Sequence, residues 1–158
     1  MLHKGAARSS QLERQNDFAQ SFMENQDIRK DDIFIVISTS GINPVPIDAA
    51  KKSLREKGAF VIALTSLEYS QSRPSRHKSG QHLYDVADLV IDNHAPKGDA
   101  LITHAALPMK FGSGSTIIGA TILNSIFVKA IQIMADQGFE PPIFLAEILK
   151  GQMNTTNG

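Results

Sequence analysis

An α/β domain built on a parallel sheet is the fold class that this sequence predicts, and three observations predict it. Ile33-Phe34-Ile35-Val36-Ile37 and Phe60-Val61-Ile62-Ala63-Leu64-Thr65 are unbroken apolar runs, rich in β-branched and aromatic residues, which is the pattern of strands buried on both faces. Between them, Asn43 is a good N-cap, Pro44 and Pro46 fit a first helical turn, and Gly58 stops the helix after about Lys57. Strand, helix and strand in that order make a β-α-β unit with a right-handed crossover. The length agrees: 158 residues, 42% hydrophobic and 20% charged, suit one domain with a real core, spanning residues 1–150.

The remaining elements follow along the chain. Residues 9 to 26 are polar with apolar points at Leu12, Phe18, Ala19, Phe22 and Met23, the spacing of a surface helix laid on something else. Ser66 to Gly80 is a polar loop with room for one helical turn, and Leu89-Val90-Ile91 is a third short strand. Asn93 to Lys110, with two prolines and a glycine, reads as an irregular surface connection. Ser115 to Gln137 is an apolar helix of roughly 35 Å, ended by Gly138 and the Pro141-Pro142 pair. Ile143 to Lys150 reads as a last short helix and residues 151–158 as a disordered tail. The expected sheet has 33–38, 60–65 and 89–92 as adjacent parallel strands.

Composition narrows the function classes. Sixteen basic residues balance sixteen acidic ones, so no overall field draws the chain to nucleic acid or to an anionic membrane, and neither is an expected partner. The absence of cysteine excludes thiolate chemistry and cysteine–zinc sites and fits a cytoplasmic protein. No signal-peptide core is seen near Met1. The apolar run from Ile117 to Met134 is interrupted by Asn124, Ser125, Lys129 and Gln132, which argues against a membrane span. The histidines lack the spacing of a helical metal pair, and neither metal nor cofactor is expected.

The segment richest in chemistry is Ser38-Thr39-Ser40-Gly41-Ile42-Asn43-Pro44. It lies between a buried parallel strand and a helix start, where open α/β sheets bind ligands and where free N–H groups and the helix dipole favour an anion. Ser38 and Ser40 add hydroxyls, Gly41 permits close backbone approach, and Asn43 has an amide to donate while capping the helix. Phosphate suits such a turn; a serine-rich helix cap is the plainer alternative. Thr65 and Ser66 end the second strand on the same sheet edge and offer further hydroxyls. Gly112-Ser113-Gly114-Ser115-Thr116 opens the long helix as a second candidate anion nest, with Ser115 in it, against the plainer reading of a cap.

The stretch from Asp32 through Ser40, with Gly41, Pro46 and Ile47, resembles the sugar isomerase (SIS) domain family of phosphosugar isomerases and phosphosugar-binding proteins. Asn43 stands where that family usually has Ser or Thr. Ser66-Leu67-Glu68-Tyr69-Ser70, Ser75-Arg76-His77, Leu83-Tyr84-Asp85, Val90-Ile91-Asp92-Asn93, Gly98-Asp99-Ala100 and Pro141-Pro142 resemble, more narrowly, an uncharacterised bacterial SIS subfamily. The resemblance implies a three-layer αβα fold of flavodoxin-like order, a sugar phosphate as ligand, and a homodimer. It also implies that the family's first strands have no counterpart here, which would leave strand 33–38 as an open edge and the chain with little isomerase activity.

The implied function is carbohydrate-derivative (phosphosugar) binding at Ser38, Thr39, Ser40, Gly41, Asn43, Thr65, Ser66 and Ser115, with or without isomerisation. Aldose–ketose isomerisation needs a group to carry a proton between adjacent carbons. Glu68, His77 and Asp99 are the nearest candidates, each weighed against a solvated-loop role. Arg73, Arg76 and Lys78 form a basic cluster in the same loop. Other readings are a flavodoxin-like FMN-binding protein, against which stands the scarcity of aromatic residues, and an inactive SIS fragment.

Overall fold

The computed structural model describes residues 5–143. The expected last helix from 143 to 150 and the tail 151–158 lie outside them, Ile143 apart. Two compact units divide the chain, Met1–Ala120 and Thr121–Gly158.

The first unit holds the sheet. β1 (Ile33–Ile37), β2 (Phe60–Thr65) and β3 (Leu89–Asp92) are parallel and adjacent in the order β1-β2-β3, with Ile35 opposite Ile62 and Leu64 opposite Ile91. The chain is thus mixed α/β with a three-stranded parallel sheet. Among the described residues β1 pairs with β2 alone, and its other edge is open.

α3 (Pro44–Lys57) is the crossover between β1 and β2. Asn43 is its N-cap in extended conformation, and Gly58 ends it at φ +70°, a left-handed position that a Cβ disfavours. Its buried face, Ile47 and Ala50, packs on Val36, Val61 and Ala63 of the sheet, and Leu83 and Val86 complete this core. Alternation along the strands sends Ile33, Ile37, Phe60 and Leu89 to the opposite face, where all four are exposed, Ile33 by 66%. Burial on both faces, expected for these strands, is therefore met on one face only among the described residues. Leu64 is the covered exception on the second face, with Gly119 against it.

Where one surface helix was expected over residues 9 to 26, there are two short ones, α1 (Ala6–Glu13) and α2 (Gln20–Met23). Asp17 separates them at φ +65° and donates its N–H to Asp48 Oδ2 at 2.8 Å. Ala19 and Met23 are buried with Ala49 of α3. α4 (Leu67–Gln71) is the helical turn expected after Ser66, and Leu83–Asp85 forms a single 3₁₀ turn.

The connection from Asn93 to Lys110 is not wholly irregular. β4 (Ala100–Ile102) and β5 (Phe111–Ser113) pair antiparallel through Ala100–Ser113 and Ile102–Phe111. Two pairs in three-residue strands, one of them containing Gly112, give too little alternation for a strand pattern to show. α5 (Ser115–Asp136) begins in the first unit and makes up the described helical part of the second. It is the one described helix long and apolar enough to cross a membrane, by length and composition.

Candidate functional site

The turn that follows β1 is held from one side. Thr39 O accepts from Ser66 N–H at 3.0 Å and from the Thr65 hydroxyl at 3.2 Å; Gly41 O accepts from Leu83 N–H at 2.8 Å; Ile42 O accepts from Arg76 N–H at 2.9 Å. In a trans peptide the N–H points opposite to the C=O. The amides of Ser40, Ile42 and Asn43 are therefore directed away from the protein groups that hold the carbonyls. Among the described residues, none of the N–H groups from Thr39 to Asn43 donates a hydrogen bond to the protein. Gly41, Ile42 and Asn43 are buried residues, and an unpaired amide in such surroundings costs about 1–3 kcal/mol. Five successive amides without an acceptor among the described residues, flanked by the Ser38, Thr39 and Ser40 hydroxyls, are donors of the kind an anion accepts.

The helix behind the turn contributes less than the sequence reading expects. Pro44 and Pro46 remove two of the first three amide protons of α3 and leave Val45 alone to supply one. Pro46 stands at the third helical position, whose N–H a capping side chain commonly binds. Asn43 accordingly makes no side-chain cap, and its Oδ1 accepts from Arg76 Nη1 at 2.8 Å. Gly41 also works differently from the expectation of close approach by a ligand. At φ +59°, its missing Cβ would sit 2.8 Å from Thr65 Oγ1 and 2.9 Å from Ser70 Oγ, so glycine is required by the packing beneath the turn. Ser70 Oγ is buried with no hydrogen-bond partner among the described residues.

The other expected site residues divide into groups. Thr65 and Ser66 touch the turn, but their hydroxyls are engaged: Thr65 donates to Thr39 O, while Ser66 donates to Ala95 O at 2.6 Å and accepts from Tyr69 N–H at 3.1 Å as the cap of α4. Glu68 stands exposed in the first turn of α4. Asp92 takes the Leu67 and His94 amides at 3.1 and 2.9 Å, so a carboxylate already occupies the start of that helix.

His77 is 5% exposed and faces α3: its Nε2 lies 2.8 Å from Asp48 Oδ1 and its Nδ1 2.7 Å from Ser79 Oγ. Asp99 and Ser115 are brought together with each other. Asp99 accepts the Ser115 amide at 2.8 Å, the Ser115 hydroxyl at 2.6 Å and the Ser113 hydroxyl, and so caps α5. Burial pushes the Asp99 carboxyl up, but the hydrogen bonds from Ser113, Ser115 and Gly114 together outweigh it and hold the group below its ordinary value. Asp48 and Ser70 had no signal in the sequence, since their roles come from residues 29 positions away in His77 and 29 in Gly41.

Residues 1–66 match the family model described as SIS domain. Those residues are similar to SIS domains. The matched stretch contains the whole Ser38–Asn43 turn together with Thr65 and Ser66, while Glu68, Arg76, His77, Asp99 and Ser115 lie beyond it. The chain is 59% identical over 151 residues to a UPF0309 protein of Halalkalibacterium halodurans, covering 96% of this chain and 60% of that protein. A UPF0309 protein of Geobacillus kaustophilus is 58% identical over 151 residues with the same coverage. One of Listeria monocytogenes is 57% identical over 146 residues, or 92% of this chain and 59% of the relative. The chain thus spans about 60% of the length of these curated relatives.

Proposed function

We propose that the chain binds the phosphate group of a sugar phosphate at the Ser38–Asn43 turn. The observation that carries this reading is the run of amides from Thr39 to Asn43, which has no protein acceptor among the described residues and sits at the carboxyl end of β1. Phosphate oxygens accept several hydrogen bonds at once, and the hydroxyls and amides that one turn supplies match that demand. The SIS match over the same residues supports the sugar as the rest of the ligand.

Titration calorimetry with hexose and heptose phosphates tests the reading. A hydroxyl bond to a charged oxygen contributes on the order of 1.5–3 kcal/mol, so Ser40→Ala is expected to weaken binding roughly tenfold or more. Unchanged affinity in both Ser38→Ala and Ser40→Ala would sink it.

Isomerisation is the finer proposal. Glu68 supports it best of the three candidate acid–base groups, because it is exposed two residues after Ser66, whose N–H binds the turn at Thr39 O. His77 and Asp99 are already engaged with Asp48 and with the start of α5. Aldose–ketose conversion followed by NMR, lost in Glu68→Gln with phosphate binding retained, would support an enzyme; binding without conversion supports a binding module.

A further inference from the structure

The basic residues near the turn are not equivalent. Lys78 Nζ lies 2.7 Å from both carboxylate oxygens of Asp17, Lys52 lies between Glu24 and Glu56 at 3.6 and 3.4 Å, and Lys51 donates to Gln81 at 2.9 Å. Among the described residues no carboxylate lies within ion-pair distance of Arg76. Arg76 is instead attached to the turn at both ends. Its N–H donates to Ile42 O at 2.9 Å and its Nη1 to Asn43 Oδ1 at 2.8 Å.

The loop that carries Arg76 is itself anchored. Ser75 Oγ donates to Gln81 O at 2.6 Å and accepts from His77 N–H at 3.0 Å, while the next ring, His77, is held by Asp48. A guanidinium has five N–H donors, and one is spent on Asn43. The rest belong to an exposed guanidinium that no carboxylate pairs among the described residues, tethered to a turn whose five amides lack an acceptor among them. Amides and hydroxyls alone would accept a carboxylate or a neutral carbonyl nearly as readily as a phosphate. A guanidinium fork adds both net charge and two-pronged geometry, and these favour a doubly charged tetrahedral anion.

We infer that Arg76 is the charge-selecting residue of the Ser38–Asn43 site, with Asn43 serving as its rest. This rests on the phosphate-binding reading above. It gives Asn43 a role that its failure to cap α3 leaves open, and it separates Arg76 from Lys78, whose charge Asp17 already balances.

The test is calorimetric titration of inorganic phosphate and of glucose 6-phosphate into the unaltered chain, Arg76→Gln, Arg76→Lys and Ser40→Ala, with melting curves for each. Arg76→Gln is expected to weaken phosphate binding roughly tenfold or more, and Arg76→Lys by about threefold, since lysine keeps the charge and loses the fork. Arg76→Gln binding phosphate as well as the unaltered chain, while Ser40→Ala binds it more weakly, overturns the inference and leaves the turn as the site. A lowered melting temperature with unchanged affinity also overturns it, because that is the result of a merely structural role. No phosphate binding by the unaltered chain removes the reading of the turn and the inference with it. If Arg76→Gln does not fold, Arg76→Lys decides, and undiminished affinity there overturns the inference.

Discussion

Asp48 and His77 lie 29 positions apart and meet at 2.8 Å, Oδ1 to Nε2, and the second oxygen of the same carboxylate accepts the Asp17 amide, also at 2.8 Å. One side chain on α3 therefore ties down both the segment before β1 and the loop that carries Arg76. The imidazole is buried, so removing it leaves a cavity and takes from Asp48 Oδ1 its partner across the fold.

His77→Ala is expected to cost about 1–3 kcal/mol of folding stability, the range for losing a buried hydrogen-bonded side chain. Urea unfolding followed by circular dichroism measures it. A loss no larger than that of an exposed-residue control would show that the Asp48 contact contributes nothing to the loop.

Gly41→Ala brings a Cβ to 2.8 Å from Thr65 Oγ1 at a φ of +59°. Gly80 is a natural control, with φ +73° and nothing within 4 Å of its added Cβ. Both substitutions pay the left-handed backbone cost of about 1–2 kcal/mol, and only the first adds a steric clash. Gly41→Ala should therefore be the more destabilised of the two and should lose phosphate binding. Equal stabilities would mean that the packing beneath the turn is slack.

Asp99 gives a pH dependence whose sign follows from its hydrogen bonds. Its carboxyl titrates lower in the folded chain than in the unfolded one. The stabilisation is fully present above the unfolded value of about 3.9 and is lost as the pH falls through the folded value. Melting temperatures between about pH 3 and 6 should fall on the acid side for the unaltered chain and vary less for Asp99→Asn. Parallel curves for the two proteins would show that the caps on α5 do not favour the ionised form.

We propose that a second copy of the chain covers α5, where Phe127 is 50%, Val128 58% and Ile133 43% exposed within one apolar helix. Burying an apolar side chain of this size contributes about 1.5–3 kcal/mol, enough for a few such contacts to sustain a dimer. Light scattering is expected to report a dimer, and Phe127→Glu with Ile133→Glu to convert it to a monomer. A monomer before substitution, or flotation of the chain with phospholipid vesicles, would rule this occupant out.

The sequence by itself determined the parallel β-α-β unit, because local signals agree there: unbroken β-branched runs, two prolines that fit only a first helical turn, and a glycine at the left-handed end of the helix. It also determined that the Ser38–Asn43 turn lies at the carboxyl end of β1, since a Ser-x-Ser-Gly stretch between strand and helix has one possible place. The tertiary structure alone decided which side chains that turn keeps for itself. Asn43 was expected to cap α3, yet Arg76 holds it, from 33 positions further on. His77, Asp99 and Ser115 were expected at the ligand, and their hydrogen bonds go to Asp48 and to the start of α5. Periodicity and spacing report which residues share an element, whereas a hydrogen bond between distant residues depends on how the elements pack. A polar residue's type shows what it can bind, and only its neighbours in space show which partner it has.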